Sequence, residues 1–180
     1  SFPTRRSSDL LEINHLPLQN RNSGITTRNT IHYTLNYIYD SYRKHYQEAV
    51  DLGYEVLGVF IQGSQNYNLD LYRDEYKSDV DTKCIILPSL DDILYNKKPF
   101  SDVHERENKE HIDIKDIRLM HNCFVKQNIN FIEILFTRYK YINPEYEAIY
   151  QSMFDNAERI AHYNNYAAVN CIAGMVYEKH

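Results

Sequence analysis

The sequence predicts an α+β domain followed by a helical part, on three observations. Apolar residues Ile31, Leu35, Ile38, Tyr42, Tyr46, Ala49 and Val50 recur at helical spacing. A β-branched and aromatic run, EVLGVFIQ over residues 55–62, follows them and reads as a buried strand. Two further strand-like stretches come next, and helical patterns then continue to the end. The order is helix, strand, turn, strand, strand, helices, which gives three strands with helices on one side.

Each element has its own signal. Residues 11–24 are polar and unpatterned, as in a loop. The first helix is expected over residues 30–52, with Gly53 as its C-terminal cap. The strand at 55–62 stops sharply at Gly63-Ser64, and residues 65–77 form a polar, tyrosine-containing connection with a short helix and loop. SDVDTKCIIL, residues 78–87, reads as a second strand that begins polar, ends buried and is stopped by Pro88. A short helix is expected at 91–95, and the highly charged stretch 96–110 reads as a mobile loop. HIDIKDI, residues 111–117, alternates polar and apolar and makes the third strand. Helices are expected at 117–126 and 130–136. Another opens with Asn143 as N-cap and Pro144 at the first helical position, running to Phe154, and a last one covers 157–178.

Residues 1–10, SFPTRRSSDL, look like a translated sequencing-adapter oligonucleotide and are set apart as a processing scar. Residues 11–140 then form the main domain, and residues 141–180 a helical C-terminal part expected to be truncated, because the pattern stops inside a helix.

Composition narrows the function classes. The 180 residues are 43% hydrophobic and 25% charged, ordinary for a soluble globular protein. No stretch approaches the roughly 18 consecutive apolar residues of a membrane span. Three isolated cysteines, Cys84, Cys123 and Cys171, form no Cys-x-x-Cys pair, which points away from a zinc site or disulfide framework and toward a reducing cytoplasm. A net charge of −5 argues against strong binding to duplex nucleic acid, though not against a triphosphate bridged by a cation. Seventeen tyrosines and no tryptophan read mainly as half-buried packing.

Chemistry concentrates in three acidic residues and one turn. In a strand, Asp79, Asp81 and Lys83 would share one face, and Val80, Thr82 and Cys84 the other. Paired carboxylates raise each other's proton affinity unless a cation lies between them, and oxygen-only ligands suit Mg²⁺ or Mn²⁺. Asp113, the third residue of the next strand, would come to the same face. Three carboxylates around one or two ions, completed by substrate phosphates, suit in-line phosphoryl transfer. Gly63 permits a sharp reversal and close backbone approach, so Gly63 and Ser64 would hold phosphate oxygens. Asp-x-Asp alone and Gly-Ser alone are both common on ordinary surfaces. The combination is what carries information.

VFIQGS (59–64) followed by SDVDTK (78–83) resembles the signature of the polymerase-β-like nucleotidyltransferases: a hydrophobic strand, Gly-Ser, a spacer and Asp-x-Asp. HIDIKDIRLM (111–120), KQNINFIEILF (126–136) and AERIAHYNNYAAVNCIAGMVYEKH (157–180) are similar to bacterial and phage nucleotidyltransferase-domain proteins of uncharacterised substrate. The resemblance runs from about Val56 to the end. It implies a small mixed β-sheet flanked by helices, metal binding by Asp79 and Asp81, a third carboxylate matching Asp113, and phosphate contacts from Gly63 and Ser64. The spacer from Ser64 to Asp79 is somewhat long, and Asn68 stands where such proteins often have glycine. Asp116, the other carboxylate of HIDIKDI, has an odd offset from Asp113 and would face away.

Other residues have plainer readings. Lys83 among acids reads as an ion pair, Glu133 within FIEIL as a structural cap or partner, and His104 and His111 lack zinc-site spacing. The expected activity is transfer of a nucleoside monophosphate from a triphosphate to an acceptor (a small molecule, an RNA end or a protein side chain), with release of pyrophosphate. Two alternatives use the same acids: a non-catalytic nucleotide- or partner-binding module of the same fold, and a metal-dependent phosphohydrolase.

Overall fold

Helix α1 (Arg28–Asp51) ends at Gly53, whose φ of +90° is the left-handed turn that the cap requires. Strand β1 (Glu55–Gln62) follows it, with six consecutive buried residues from Val56 to Ile61. The computed structural model describes residues 28–178 except 68, 74, 75 and 108, so the adapter-like stretch 1–10, the loop 11–24 and the conformation of Asn68 lie outside the described residues.

The remaining elements are the two-residue strands β2 (Tyr72–Arg73) and β3 (Tyr76–Lys77), β4 (Asp81–Leu87), α2 (Leu90–Leu94), β5 (Ser101–Glu105) and β6 (His111–Asp116). After these come α3 (Arg118–Val125), α4 (Ile129–Ile132), β7 (Lys140–Ile142), α5 (Glu147–Asp155), α6 (Ala157–Ala161) and α7 (Asn165–Glu178). Five strands form one sheet in the order β5-β6-β4-β1-β7, with β4 and β6 parallel and the other pairs antiparallel. The fold is α+β with a mixed sheet.

The sheet is filled on both faces, which corrects the expectation of helices on one side. Ile38, Tyr42 and Ala49 of α1 pack with Val59, Ile61, Cys84, Ile112 and Ile114 on one face. Met120 of α3, Phe131 of α4 and Tyr150 of α5 pack with Leu57, Phe60 and Ile85 on the other. Each fully buried side chain of this size contributes about 1.5–3 kcal/mol. Half-buried tyrosines, Tyr39, Tyr46, Tyr54 and Tyr141 among them, edge the first core, as the composition indicated.

Four expectations change. The loop over 96–110 contains β5, paired antiparallel along β6. β5 is an edge strand whose side chains are nearly all exposed, so backbone pairing forms it without any apolar signal. β7, three residues long, is too short to show a period, and the boundary drawn at 140/141 falls inside it. The second strand begins at Asp81 and not at Ser78, because Ser78 bonds to Leu71 through both its N–H and its hydroxyl. The last helix breaks in two at residues 162–164, where the Asn164 side chain accepts the Ala167 N–H and caps α7. Among the described residues no helix is long and apolar enough to cross a membrane.

Candidate functional site

Antiparallel β1 and β4 and parallel β6 bring three chain positions to one end of the sheet: the exit of β1 at Gly63-Ser64 and the entries of β4 and β6. In that register Gln62 pairs with Asp81, and Phe60 with Lys83. Lys83 in turn pairs with Asp113 on β6. Side chains two apart along β4 share a face, so Asp81, Lys83 and Asp113 all lie on the α3–α5 side of the sheet.

Asp81 is half-buried at this end. Its Oδ1 accepts the His111 backbone N–H at 2.9 Å and lies 3.1 Å from the His111 ring Nδ1. One step further in, Asp113 is buried and paired with the wholly buried Lys83. Burial lowers the Lys83 pKa, against the opposing pull of the Asp113 charge. The Lys83 ammonium also sits 4.6 Å from the centre of the Phe131 ring, a cation–π contact inside the second core. Lys115 Nζ approaches Asp113 Oδ1 to 2.7 Å without hydrogen-bond alignment, so that buried oxygen has no hydrogen-bond partner.

Asp79 lies just before β4, outside the strand register that was expected to align it with Asp81. Its carbonyl accepts the Gln65 side-chain amide at 2.7 Å. Its charge is felt at Tyr37 of α1, where burial first, then Glu110, raise the phenol pKa and Asp79 adds a smaller push. The structure therefore brings Asp81 and Asp113 to one face and leaves Asp79 at the rim. Asp116 faces the other way, as its offset indicated, and is held by the Arg118 backbone N–H and guanidinium.

The donor chemistry fits a hard divalent cation in part. Asp81 and Asp113 offer carboxylate oxygens on one face, and Asp113 Oδ1 is a buried acceptor without a hydrogen bond. Among the described residues, however, no three His, Cys, Asp or Glu side chains lie close enough together to hold an ion by themselves. An ion here would take its remaining ligands from phosphate oxygens and water, the usual habit of Mg²⁺.

The turn is built more elaborately than the sequence disclosed. Gly63 has φ +86°, a conformation other residues adopt at a cost of about 1–2 kcal/mol. Residues Ser64–Tyr67 follow as a 3-10 helix. Glu133 Oε1 accepts the Gly63 N–H at 2.9 Å and also the Asn66 side-chain amide. That amide donates to the Ile61 carbonyl at 2.8 Å, and the Asn66 oxygen accepts the Thr137 hydroxyl at 2.6 Å. Sequence reading assigned Glu133 a structural partner without identifying it. The signal was a lone acid inside an apolar run.

A second buried polar network escaped sequence reading altogether. His45 of α1 is fully buried, with Nδ1 2.8 Å from the Thr82 hydroxyl and Nε2 3.1 Å from Glu110 Oε2. Tyr37 and Ser41 donate to the other oxygen of Glu110. Thr82 and His45 are both wholly inaccessible, so this chain of bonds ties α1 to the sheet. A cavity of about 380 Å³ opens at the opposite end of the sheet beside Tyr54, Lys98 and Arg118. A cleft of about 230 Å³ adjoins the turn, between Tyr67, Ile132, Glu133 and Phe136.

No known family model, no curated protein and no solved structure matches this chain.

Proposed function

We propose that this protein is a metal-dependent nucleotidyltransferase that moves a nucleoside monophosphate from a triphosphate to an acceptor hydroxyl, releasing pyrophosphate. The observation that carries the reading is the juxtaposition of Asp81 and Asp113 on one sheet face at the end where β1 turns at Gly63-Ser64. The resemblance of VFIQGS and SDVDTK to the nucleotidyltransferase signature supports it.

Asp81 and Asp113 would hold Mg²⁺ or Mn²⁺ together with phosphate oxygens and water, and Asp79, at the rim before β4, would join that shell only if its segment moved toward the ion. The cation supplies charge neutralisation on the phosphates and orients them. The Gly63-Ser64 turn, through Ser64 and the backbone after it, anchors the end of the triphosphate remote from the reacting phosphorus, which sets the reacting centre beside the carboxylates. Asp113 would take the proton of an acceptor hydroxyl, which requires that its buried Oδ1, 2.7 Å from Lys115 Nζ, open to the ligand on binding.

One observation favours a second reading, a nucleotide- or partner-binding module without turnover. Lys83 and Lys115 already neutralise Asp113, which needs no cation in that state. One experiment separates the readings. The chain is incubated with Mg²⁺, α-labelled nucleoside triphosphates and a cell extract supplying RNA, protein and small-molecule acceptors. Pyrophosphate release with label transferred to one acceptor class is the expected result. Nucleotide binding without turnover supports the binding module. Release of orthophosphate alone indicates a phosphohydrolase and overturns both.

A further inference from the structure

Glu133 is an anion placed where another anion is expected. Its Oε1 takes the Gly63 N–H, the first donor of the proposed phosphate turn, and also holds Asn66 two residues after Ser64. A second link reaches the same amide, since the Thr137 hydroxyl donates to Asn66 Oδ1. Glu133 and Thr137 lie one helical turn apart on a rigid base, because Phe131, Ile134 and Leu135 around them are buried. The segment 131–137 thus grips the turn at both ends of Gly63–Asn66. A carboxylate beside a phosphate site repels the ligand and brings no benefit if its role is only to close a loop, where a neutral acceptor would serve. A charged acceptor on a backbone N–H, by contrast, makes a bond roughly twice as strong as a neutral one. Such a bond suits a turn at φ +86° that must keep one geometry.

We propose that Glu133 is a positioning residue for polyphosphate: by holding the Gly63 N–H and Asn66 it fixes the turn so that Ser64 and the backbone after it receive the ligand. This rests on the nucleotide-binding reading of the same site. The rival is a displaceable plug, in which phosphate must first expel Glu133 from the Gly63 N–H. The two predict opposite signs, because removing a positioning group weakens binding and removing a plug strengthens it.

The test is calorimetric titration of the whole chain with Mg²⁺-tripolyphosphate and with a Mg²⁺-bound non-hydrolysable nucleoside triphosphate, for wild type, Glu133→Ala, Glu133→Gln and Thr137→Val. Positioning gives a loss of about tenfold to a hundredfold for both ligands in Glu133→Ala. It gives a smaller loss, about threefold to tenfold, in Glu133→Gln, whose side-chain carbonyl still accepts both N–H groups but as a weaker, neutral acceptor, and about a threefold loss in Thr137→Val. Tighter binding by Glu133→Ala overturns the proposal in favour of the plug. Unchanged affinity, with a lowered melting temperature alone, reduces Glu133 to a structural residue and overturns it too. Should Glu133→Ala not fold, the Gln and Val variants decide: full-strength binding by both contradicts it. Failure of wild type to bind either ligand sinks the nucleotide reading, and the proposal with it.

Discussion

Tyr150 is wholly buried between Phe60 and Phe154, with ring centroids 5.5 and 6.1 Å away, and its hydroxyl finds no hydrogen-bond partner. Burial holds that phenol well above its ordinary pKa, so it stays protonated throughout the physiological range. An unbonded hydroxyl in a core costs about 1–3 kcal/mol of desolvation, and phenylalanine keeps the ring packing without that cost. Tyr150→Phe is therefore expected to leave the protein as stable or to stabilise it by up to about 1 kcal/mol, read as the urea midpoint. A clear loss would show that the hydroxyl has a partner in solution. Single residues were unevenly legible in the sequence. The alternation of SDVDTK and HIDIKDI placed Asp81, Lys83 and Asp113 on one face and turned Asp116 away, because side-chain direction in a strand is a local property. It misplaced Asp79, because whether a strand begins at residue 78 or 81 depends on Leu71 and Gln65, which are distant in pattern though near in space. The lysine partners of Asp113 were half legible. Spacing sets Lys83 among acids as an ion pair, but its depth under Phe131 is not a property of spacing.

Among elements, the buried ones announced themselves and the edges did not. β1 matched its expected span because six consecutive buried residues leave an apolar run that nothing else in the chain mimics. β5 carries one valine among polar residues and exists through its bonds to β6, so no single-sequence pattern reports it. The junction from β6 into α3 offers an element-level test. Burial tends to raise the Asp116 pKa, but hydrogen bonds from Arg118 outweigh it and hold the carboxyl below its usual value. A carboxylate with a depressed folded-state pKa stabilises fully above its unfolded value, about 4, and loses that contribution as pH falls through the lower folded value. Wild type should thus show a destabilisation slope below about pH 4 that Asp116→Asn lacks, the variant being less stable at neutral pH. Parallel acid-unfolding curves for the two proteins would rule out this role for the junction.

At the scale of the whole molecule, the topology decides what the site can be. The parallel pairing of β4 with β6 returns the chain through α2 and β5, so the β6 entry lands beside the β4 entry, at the end where β1 exits. One end of the sheet thereby gathers the turn, Asp81, His111 and Asp113, while the cavity of about 380 Å³ lies at the other. None of this long-range order is written in local spacing, and the clamp from Glu133 to Gly63 spans 70 residues. On the proposed nucleotidyltransferase reading an ion needs ligands from outside the protein, since among the described residues no three acidic, His or Cys side chains lie close enough to hold it. Phosphate oxygens would complete the shell, so cation and nucleotide should bind together and not separately. The most direct measurement is a Mn²⁺ titration followed by electron paramagnetic resonance, with and without a non-hydrolysable nucleoside triphosphate, for wild type and Asp81→Asn. The account requires that wild type bind the Mn²⁺–nucleotide complex and that Asp81→Asn lose it while staying folded. Wild-type protein that leaves the Mn²⁺–nucleotide spectrum unchanged, or an Asp81→Asn variant that binds as tightly, would contradict the account.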